Sequence, residues 1–155
     1  MMKTIKPWLA IGAMVAIAAS APAAAMPTVT PSTPAANTDF RDGEKAAKDG
    51  QYKEAVALLT KVVQKEPDNA DAHNYLGFSY RKLGEFDKAQ GHYRTALQLK
   101  PDHKAALEYY GELFLQIKDL PRAEEQLARL ERVCPSGCAE RSELEKAVKA
   151  YKAGS

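Results

Sequence analysis

The chain has few of the residues on which catalytic and metal sites usually depend. Among its 155 residues there are only two cysteines, three histidines and one tryptophan. It contains no glycine-rich phosphate loop, no G-x-S-x-G nucleophile motif and no H-E-x-x-H metal motif. His73, His92 and His103 are scattered, and none belongs to a ligand-spaced cluster. The sequence therefore predicts a protein that is not an enzyme and that uses no metal or cofactor.

The sequence also lacks an apolar run long enough to span a membrane. The longest, Trp8–Ala19, covers 12 residues, whereas a membrane span needs about 20. Lys3 and Lys6 precede it, and small residues ending at Ala25 fit an A-x-A cleavage site. We predict a signal peptide over residues 1–25, cut after Ala25, and a periplasmic or secreted protein without stable membrane insertion. An uncleaved anchor is the weaker alternative.

An excess of positive charge is absent as well. Lys3 and Lys6 leave with the signal peptide, and the remaining 20 Lys and Arg residues balance the 20 Asp and Glu residues. A nucleic-acid-binding protein normally shows a basic stripe, and none is visible. The charges instead alternate in sign along helical segments, as on solvated faces. We therefore expect no nucleic-acid partner.

What the sequence does have is a repeat of 34 residues. Small and helix-breaking residues recur at this spacing, namely Gly43, Gly77 and Gly111, then Ala55, Ala89 and Ala123, then Pro67, Pro101 and Pro135. A fixed period of this length indicates a stack of small helical units. Because small side chains let two backbones approach, we predict that the two helices of a unit cross at Gly77 and Ala89 and at the equivalent positions of the other units.

Apolar residues recur at three- and four-residue steps throughout the repeats, without sustained alternation. The pattern predicts six helices in three antiparallel pairs, over units 36–69, 70–103 and 104–137, and no sheet. Residues 26–36 are rich in proline and threonine and predict an extended linker. Residues 138–155 predict a terminal helix and tail that cap the stack. An amphipathic partner-binding helix is the alternative for that segment.

The middle unit carries a family resemblance. His73-x-x-Leu76-Gly77-x-x-Tyr80, followed by Ala89, Tyr93, Ala96 and Pro101, resembles the tetratricopeptide repeat pattern, and the flanking units are weaker copies. The resemblance implies a right-handed α-α superhelix of three helix pairs whose first helices line a concave groove. For function, it implies the binding of peptides or protein segments.

The same resemblance implies a set of groove residues. They are Phe40, Glu44, Lys48, Asn74, Phe78, Arg81, Lys82, Glu108, Glu112 and Gln116, with Ala105, Tyr109 and Leu115 nearby. Phe40 and Phe78 either line the groove or complete the core, and both readings stay open. Some co-chaperones of the family hold a terminal carboxylate with a lysine, asparagine and arginine clamp, whose matching places here are Phe40, Glu44, Tyr75, Ala105 and Tyr109. Chaperone tails are therefore not expected partners.

Cys134 and Cys138 are separated by Pro-Ser-Gly, a turn-forming sequence, in a chain that we expect to be exported. A local structural disulfide is the favoured interpretation. Redox or metal use is the alternative, although the pair has one residue more than the C-x-x-C spacing of thioredoxin-type sites.

These observations predict a non-enzymatic protein–protein interaction module, an adaptor or assembly factor of the cell envelope. A thiol-redox or metal-handling accessory protein using Cys134 and Cys138 is the second hypothesis. Self-association through incompletely covered repeat faces is the third.

Overall fold

The computed structural model describes the backbone of residues 34–154 and the side chains from residue 37 onward. This range contains seven helices and no strand, which confirms the all-α prediction. The helices are α1 (Pro34–Lys48), α2 (Tyr52–Lys65), α3 (Ala70–Lys82), α4 (Phe86–Leu99), α5 (Lys104–Gln116), α6 (Leu120–Val133) and α7 (Ala139–Ala153). The predicted signal peptide lies outside the described residues. Within them, no helix has the length and apolar character needed to cross a membrane.

Helix α1 begins at Pro34, two residues before the first unit was predicted to start. Residues 34–36 are therefore helical rather than part of an extended linker. Proline is well tolerated here because the first helical position needs no backbone donor and its fixed φ suits the helix.

Tight turns join the two helices of each pair. Gly50 and Gly84 end the turns after α1 and α3 with φ of 80° and 78°. At the corresponding place after α5, Lys118 adopts φ of 62°, a left-handed conformation that is uncommon for residues with a side chain. The third pair thus keeps the turn of the other two without the glycine.

His103 lies immediately before α5 and is buried. It is 7% exposed. Its Nδ1 accepts a hydrogen bond of 3.3 Å from the backbone N–H of Ala106, so it caps the N-terminus of α5. Its Nε2 lies 2.9 Å from Asp71 Oδ1 on α3. His103 is therefore a structural residue that joins two neighbouring helices.

The helix crossings differ in detail from the glycine–alanine pairs that the sequence predicted. A Cβ atom added to Gly77 would lie 2.7 Å from the ring of Tyr93, one turn beyond Ala89, and one added to Gly43 would lie 2.7 Å from Leu59. At Gly111 the closest side chain is Leu144 of α7, at 2.5 Å. The three glycines do mark close approaches between helices. Because a glycine has no side chain, each leaves room for a large side chain of the facing helix.

Helix α7 packs against α5 and α6. Leu144 and Val148 are buried in the same core cluster as the residues of α4, α5 and α6, while Ala147 and Tyr151 are half-buried. The helix thus covers apolar surface of the last pair and turns charged residues outward, as a capping helix does.

Candidate functional site: a face formed by the first helices

The first helices of the three pairs lie side by side, since α1 contacts α3, α3 contacts α5, and α5 in turn contacts α7. The surface that these four helices share is called the first-helix face below. Most of the groove residues predicted from the sequence lie on it, in three groups from α1 to α7.

The N-terminal group joins α1 to α3. The rings of Phe40 and Tyr75 have centroids 6.2 Å apart in an edge-on arrangement. Tyr75 donates a hydrogen bond of 2.7 Å to Glu44 Oε1, and Lys48 Nζ donates another of 2.7 Å to the same oxygen. These two hydrogen bonds, that of Lys48 first, lower the pKa of Glu44. The carboxylate is therefore already paired within the protein.

The central group joins α3 to α5. The ring centroids of Phe78 and Tyr109 are 5.0 Å apart, and both side chains are half-buried. Arg81 Nη2 forms an ion pair of 2.6 Å with Glu112 Oε2, and its guanidinium lies 5.5 Å and 5.8 Å from the two ring centroids. Arg81 is only 4% exposed. Arg81 is thus held by Glu112 and the two rings, and little of its surface is accessible to a partner.

The C-terminal group is a surface depression of about 310 Å³. It is lined by Arg81, Lys82, Glu112, Leu115, Gln116 and Ala147. Five of these residues were named from the sequence. Ala147 was not, because its place on the apolar side of α7 assigned it to the cap. Helix α7 therefore serves both as a cap and as one wall of this depression.

Glu108 stands close to this end of the face. Burial, followed by the negative charges of Glu112, Glu140 and Glu143, raises the pKa of Glu108 to about 7. The nearby cation, Arg81, opposes this shift but is the smallest contribution. A positive charge placed beside Glu108 would relieve the repulsion among these carboxylates.

The remaining predicted groove residues have different environments. Asn74 is 2% exposed and lies beneath the surface, whereas Lys82 and Gln116 are exposed. Phe40 and Phe78 both pack against the buried core around α2 and α3, yet each keeps part of its surface accessible. The two aromatic residues therefore complete the core and also line the face.

Cys134 and Cys138 lie in the connection between α6 and α7, with their Cα atoms 6.0 Å apart and their sulfur atoms at bonding distance. Gly137, between them, has φ of 96°. The Cα separation suits a local bridge, and the oxidised state of the pair stays a prediction. Among the described residues there is no group of three or more potential metal ligands.

Within residues 34–154, three consecutive antiparallel helix pairs followed by a seventh helix define an α-helical repeat protein. Two models of the tetratricopeptide repeat family match the sequence, one over residues 46–92 and the other over residues 79–137. The chain belongs to the tetratricopeptide repeat family.

Curated relatives share repeats but are much longer proteins. Tetratricopeptide repeat protein 37 of Xenopus laevis is 27% identical over 99 residues, which is 60% of this chain and 6% of that protein. Superkiller complex protein 3 of Mus musculus is 29% identical over 77 residues, 50% of this chain and 5% of that protein. The chain thus spans only a small part of these relatives.

Solved structures share the fold. The first repeat domain of Spaghetti (RPAP3) bound to an HSP90 peptide superposes with a TM-score of 0.66 at 24% identity, covering 75% of this chain and 92% of that one. The TPR2B domain of yeast Sti1, in a complex with an Hsp70 peptide, gives 0.72 at 15% identity, with coverage of 79% and 100%. A variant of MamA gives 0.62 at 25% identity, with coverage of 65% and 57%.

Proposed function

We propose that the first-helix face binds an extended or helical segment of a partner protein. The observation that carries the proposal is the pair of partly exposed aromatic clusters, Phe40 with Tyr75 and Phe78 with Tyr109, on one face with charged side chains beside them. Aromatic anchors with a polar rim are typical of peptide-binding surfaces. Structural neighbours that bind peptides add support, as does the role of the family as a non-enzymatic scaffold.

The chemistry of this face favours a segment with an apolar anchor and a basic neighbour over an acidic tail. The HSP90 and HSP70 peptides that RPAP3 binds end in the acidic sequence EEVD. Here a partner's carboxylate would approach Glu108, whose pKa is already raised by burial and adjacent carboxylates. At the other end, Oε1 of Glu44 already accepts hydrogen bonds from Lys48 and Tyr75, and the carboxylate would repel an acidic tail. An apolar side chain against Phe78 and Tyr109, with a lysine or arginine toward α7, fits these surroundings.

We further propose that the protein acts in the cell envelope as an adaptor or assembly factor, after export and removal of residues 1–25. The support is the sequence of the amino terminus. In an oxidising compartment Cys134 and Cys138 would form a structural disulfide that holds the start of α7 beside the end of α6. The spacing of the pair, one residue longer than C-x-x-C, favours this role over thioredoxin-type redox catalysis.

Site-specific photocrosslinking tests the binding face. A photoreactive residue is placed at Lys82 or Gln116, two exposed positions of the first-helix face, and for comparison at Lys61 or Gln98, two exposed positions on the second helices α2 and α4. These replacements leave Arg81 untouched, which matters because it is buried and paired with Glu112. After irradiation in an envelope extract, crosslinked partners are identified by mass spectrometry.

The expected result is one partner segment crosslinked from Lys82 and Gln116, with little or no product from Lys61 and Gln98. Gln116→Arg places a positive charge beside the proposed basic side chain of the partner and should weaken capture, whereas Gln98→Arg, on α4, should leave it unchanged. Equal crosslinking from all four positions, or crosslinking from the second helices alone, would show that the first-helix face is not the binding surface.

A further inference from the structure

Two histidines outside the first-helix face lie together within the middle pair of helices. His73 on α3 and His92 on α4 are both half-buried, and their Nδ1 atoms are 3.1 Å apart. The ring centroids are 5.3 Å apart. Nothing in the proposed binding of a partner segment uses either ring. The pair therefore calls for a separate explanation.

The second nitrogen of His73 fixes the protonation of its ring. Nε2 lies 3.1 Å from the backbone carbonyl oxygen of Pro67, which can only accept, so Nε2 carries the proton and donates it. In the neutral ring this leaves the lone pair on Nδ1, directed toward His92. Histidines that bind metals commonly donate their other ring N–H to a backbone carbonyl, and this hydrogen bond orients the ligating nitrogen.

Burial disfavours the charged form of both rings. Burial lowers the pKa of His73, and burial together with the charge of His73 lowers the pKa of His92 to about 4. Neutral imidazole is the form that binds metals. Burial therefore favours, in both rings, the form that has a free nitrogen lone pair.

The surroundings hold the pair in place. The ring of Tyr80 lies parallel to that of His92, with an interplanar angle of 8° and centroids 5.5 Å apart. Helices α3 and α4 approach closely where Gly77 meets Tyr93, a side chain with no exposed surface. The two imidazoles therefore project from a closely packed pair of helices, and their rings keep some freedom of rotation.

We propose that His73 and His92 form a two-histidine site for a divalent transition-metal ion of the zinc or copper class, bound through both Nδ1 atoms. Two nitrogens that each lie 2.0–2.1 Å from a tetrahedral zinc ion are about 3.3 Å apart, close to the spacing in this structure. The lone pairs meet at one ion after small rotations about the soft χ2 torsions of the rings. Water completes the coordination.

Binding of the ion changes the tautomer of His92 but not the number of protons on the two rings. In the ligand-free pair His92 Nδ1–H donates to the lone pair of His73 Nδ1. When the ion binds, His92 gives up this proton from Nδ1 and takes one from water on Nε2, so both rings remain neutral. Because all protein donors are imidazole nitrogens, the site discriminates against calcium and magnesium, which prefer oxygen ligands. With two protein ligands it binds an exchangeable ion rather than a permanent structural one.

Titration of the full chain with Cu²⁺ tests the site, with free thiols blocked beforehand and no histidine-containing tag present. We compare the unchanged protein with His73→Gln and His92→Gln, and use His103→Gln as the matched control because His103 is the remaining histidine and lies outside the pair. Circular dichroism confirms that each variant folds. Electron paramagnetic resonance should show one ion with two nitrogen donors, and loss of either member of the pair should weaken binding at least about tenfold.

A second measurement needs no variant. In a titration of the unchanged protein with Zn²⁺, the ¹⁵N resonances of the Nδ1 atoms of His73 and His92 should shift together, while those of His103 should stay in place. The proposal is overturned if the two Nδ1 resonances do not respond, or if folded His73→Gln and His92→Gln bind Cu²⁺ as tightly as the unchanged protein. In either case the pair would be only a hydrogen bond between two helices.

Discussion

Glu44 near the N-terminal end of the first-helix face and Glu108 near its C-terminal end are both carboxylates on first helices, but their surroundings differ. Glu44 receives hydrogen bonds from Lys48 and Tyr75, which lower its pKa. Glu108 is shielded from water and faces three other glutamates, so its pKa is raised to about 7. The comparison teaches that the carboxylate at one end is already paired within the protein, whereas at the other end a positive charge beside Glu108 would relieve the repulsion among the glutamates.

The helix pairs also differ in which side chain packs against the repeated glycine. Gly43 and Gly77 admit Leu59 and Tyr93 from the second helix of their own pair, whereas Gly111 admits Leu144 from α7. The third pair therefore uses the same small residue to hold the terminal helix. Three sets of variants test how far these differences determine stability.

The largest effect is expected for Leu144→Ala. Leu144 has no exposed surface and occupies the space beside Gly111, so its removal leaves a cavity and should lower the free energy of unfolding by about 2–5 kcal/mol. Thermal unfolding measures the loss. Leu99, which is 41% exposed, provides the matched control, since Leu99→Ala should change stability by less than about 0.5 kcal/mol. Equal losses in the two variants would contradict the anchoring of α7 by Leu144.

Replacement of glycine by alanine should distinguish the two kinds of contact. In Gly77→Ala the new Cβ meets the fixed ring of Tyr93 at 2.7 Å, and we expect a loss of about 1–3 kcal/mol. In Gly111→Ala it meets the methyl ends of Leu144, which can rotate, so the loss should be smaller and confined to α7. Denaturant unfolding gives the first quantity, and amide hydrogen exchange in α7 gives the second.

Gly91 is the internal control for this comparison. It lies in α4, and a Cβ atom added to it would meet no atom within 4 Å. Gly91→Ala should therefore leave stability unchanged or raise it by up to about 1 kcal/mol, since alanine is the better helix former. A Gly77→Ala protein as stable as Gly91→Ala would refute the close approach of α3 and α4.

The smallest effects should come from the two glutamates, and they should differ in sign. Between pH 4.5 and about 7 the folded protein keeps a proton on Glu108 that the unfolded chain releases, so stability decreases as the pH rises through this range. Glu108→Gln should remove this dependence and raise stability at pH 8 by about 1 kcal/mol, a value reduced for solvent screening.

Glu44→Gln is the counterpart with the opposite sign. The lowered pKa of Glu44 stabilises the fold above pH 4.5, and this contribution is lost as the pH decreases through the folded-state value. The variant should be less stable than the unchanged protein at pH 8 by under about 1 kcal/mol, because the ion pair with Lys48 is partly exposed. Chemical denaturation at pH 5 and pH 8 measures both variants, and shifts of the same sign would contradict the comparison.

The sequence predicted the helix pairs well because their signals are local. Apolar residues at three- and four-residue steps and glycines at 34-residue intervals act within one helix or one turn, so they can be read without knowing the fold. The family resemblance predicted which residues belong to the groove. It did not predict how deeply each of their side chains is buried. Arg81 was expected at the surface and lies buried, because its burial depends on Glu112 and two aromatic rings contributed by different helices.

By itself, then, the sequence determined the all-α repeat through its periodicity and small-residue spacing, and its resemblance to the tetratricopeptide repeat pattern indicated the family and the class of interaction protein. Only the tertiary structure decided which side chains meet across helices. His73 and His92 are 19 positions apart and match no ligand spacing, yet the antiparallel packing of α3 and α4 brings their nitrogens within 3.1 Å. In the same way Gly111, identical in pattern to Gly77, receives Leu144 because α7 rather than α6 reaches it. Such contacts depend on the rotation and crossing of whole helices, which a local pattern does not encode.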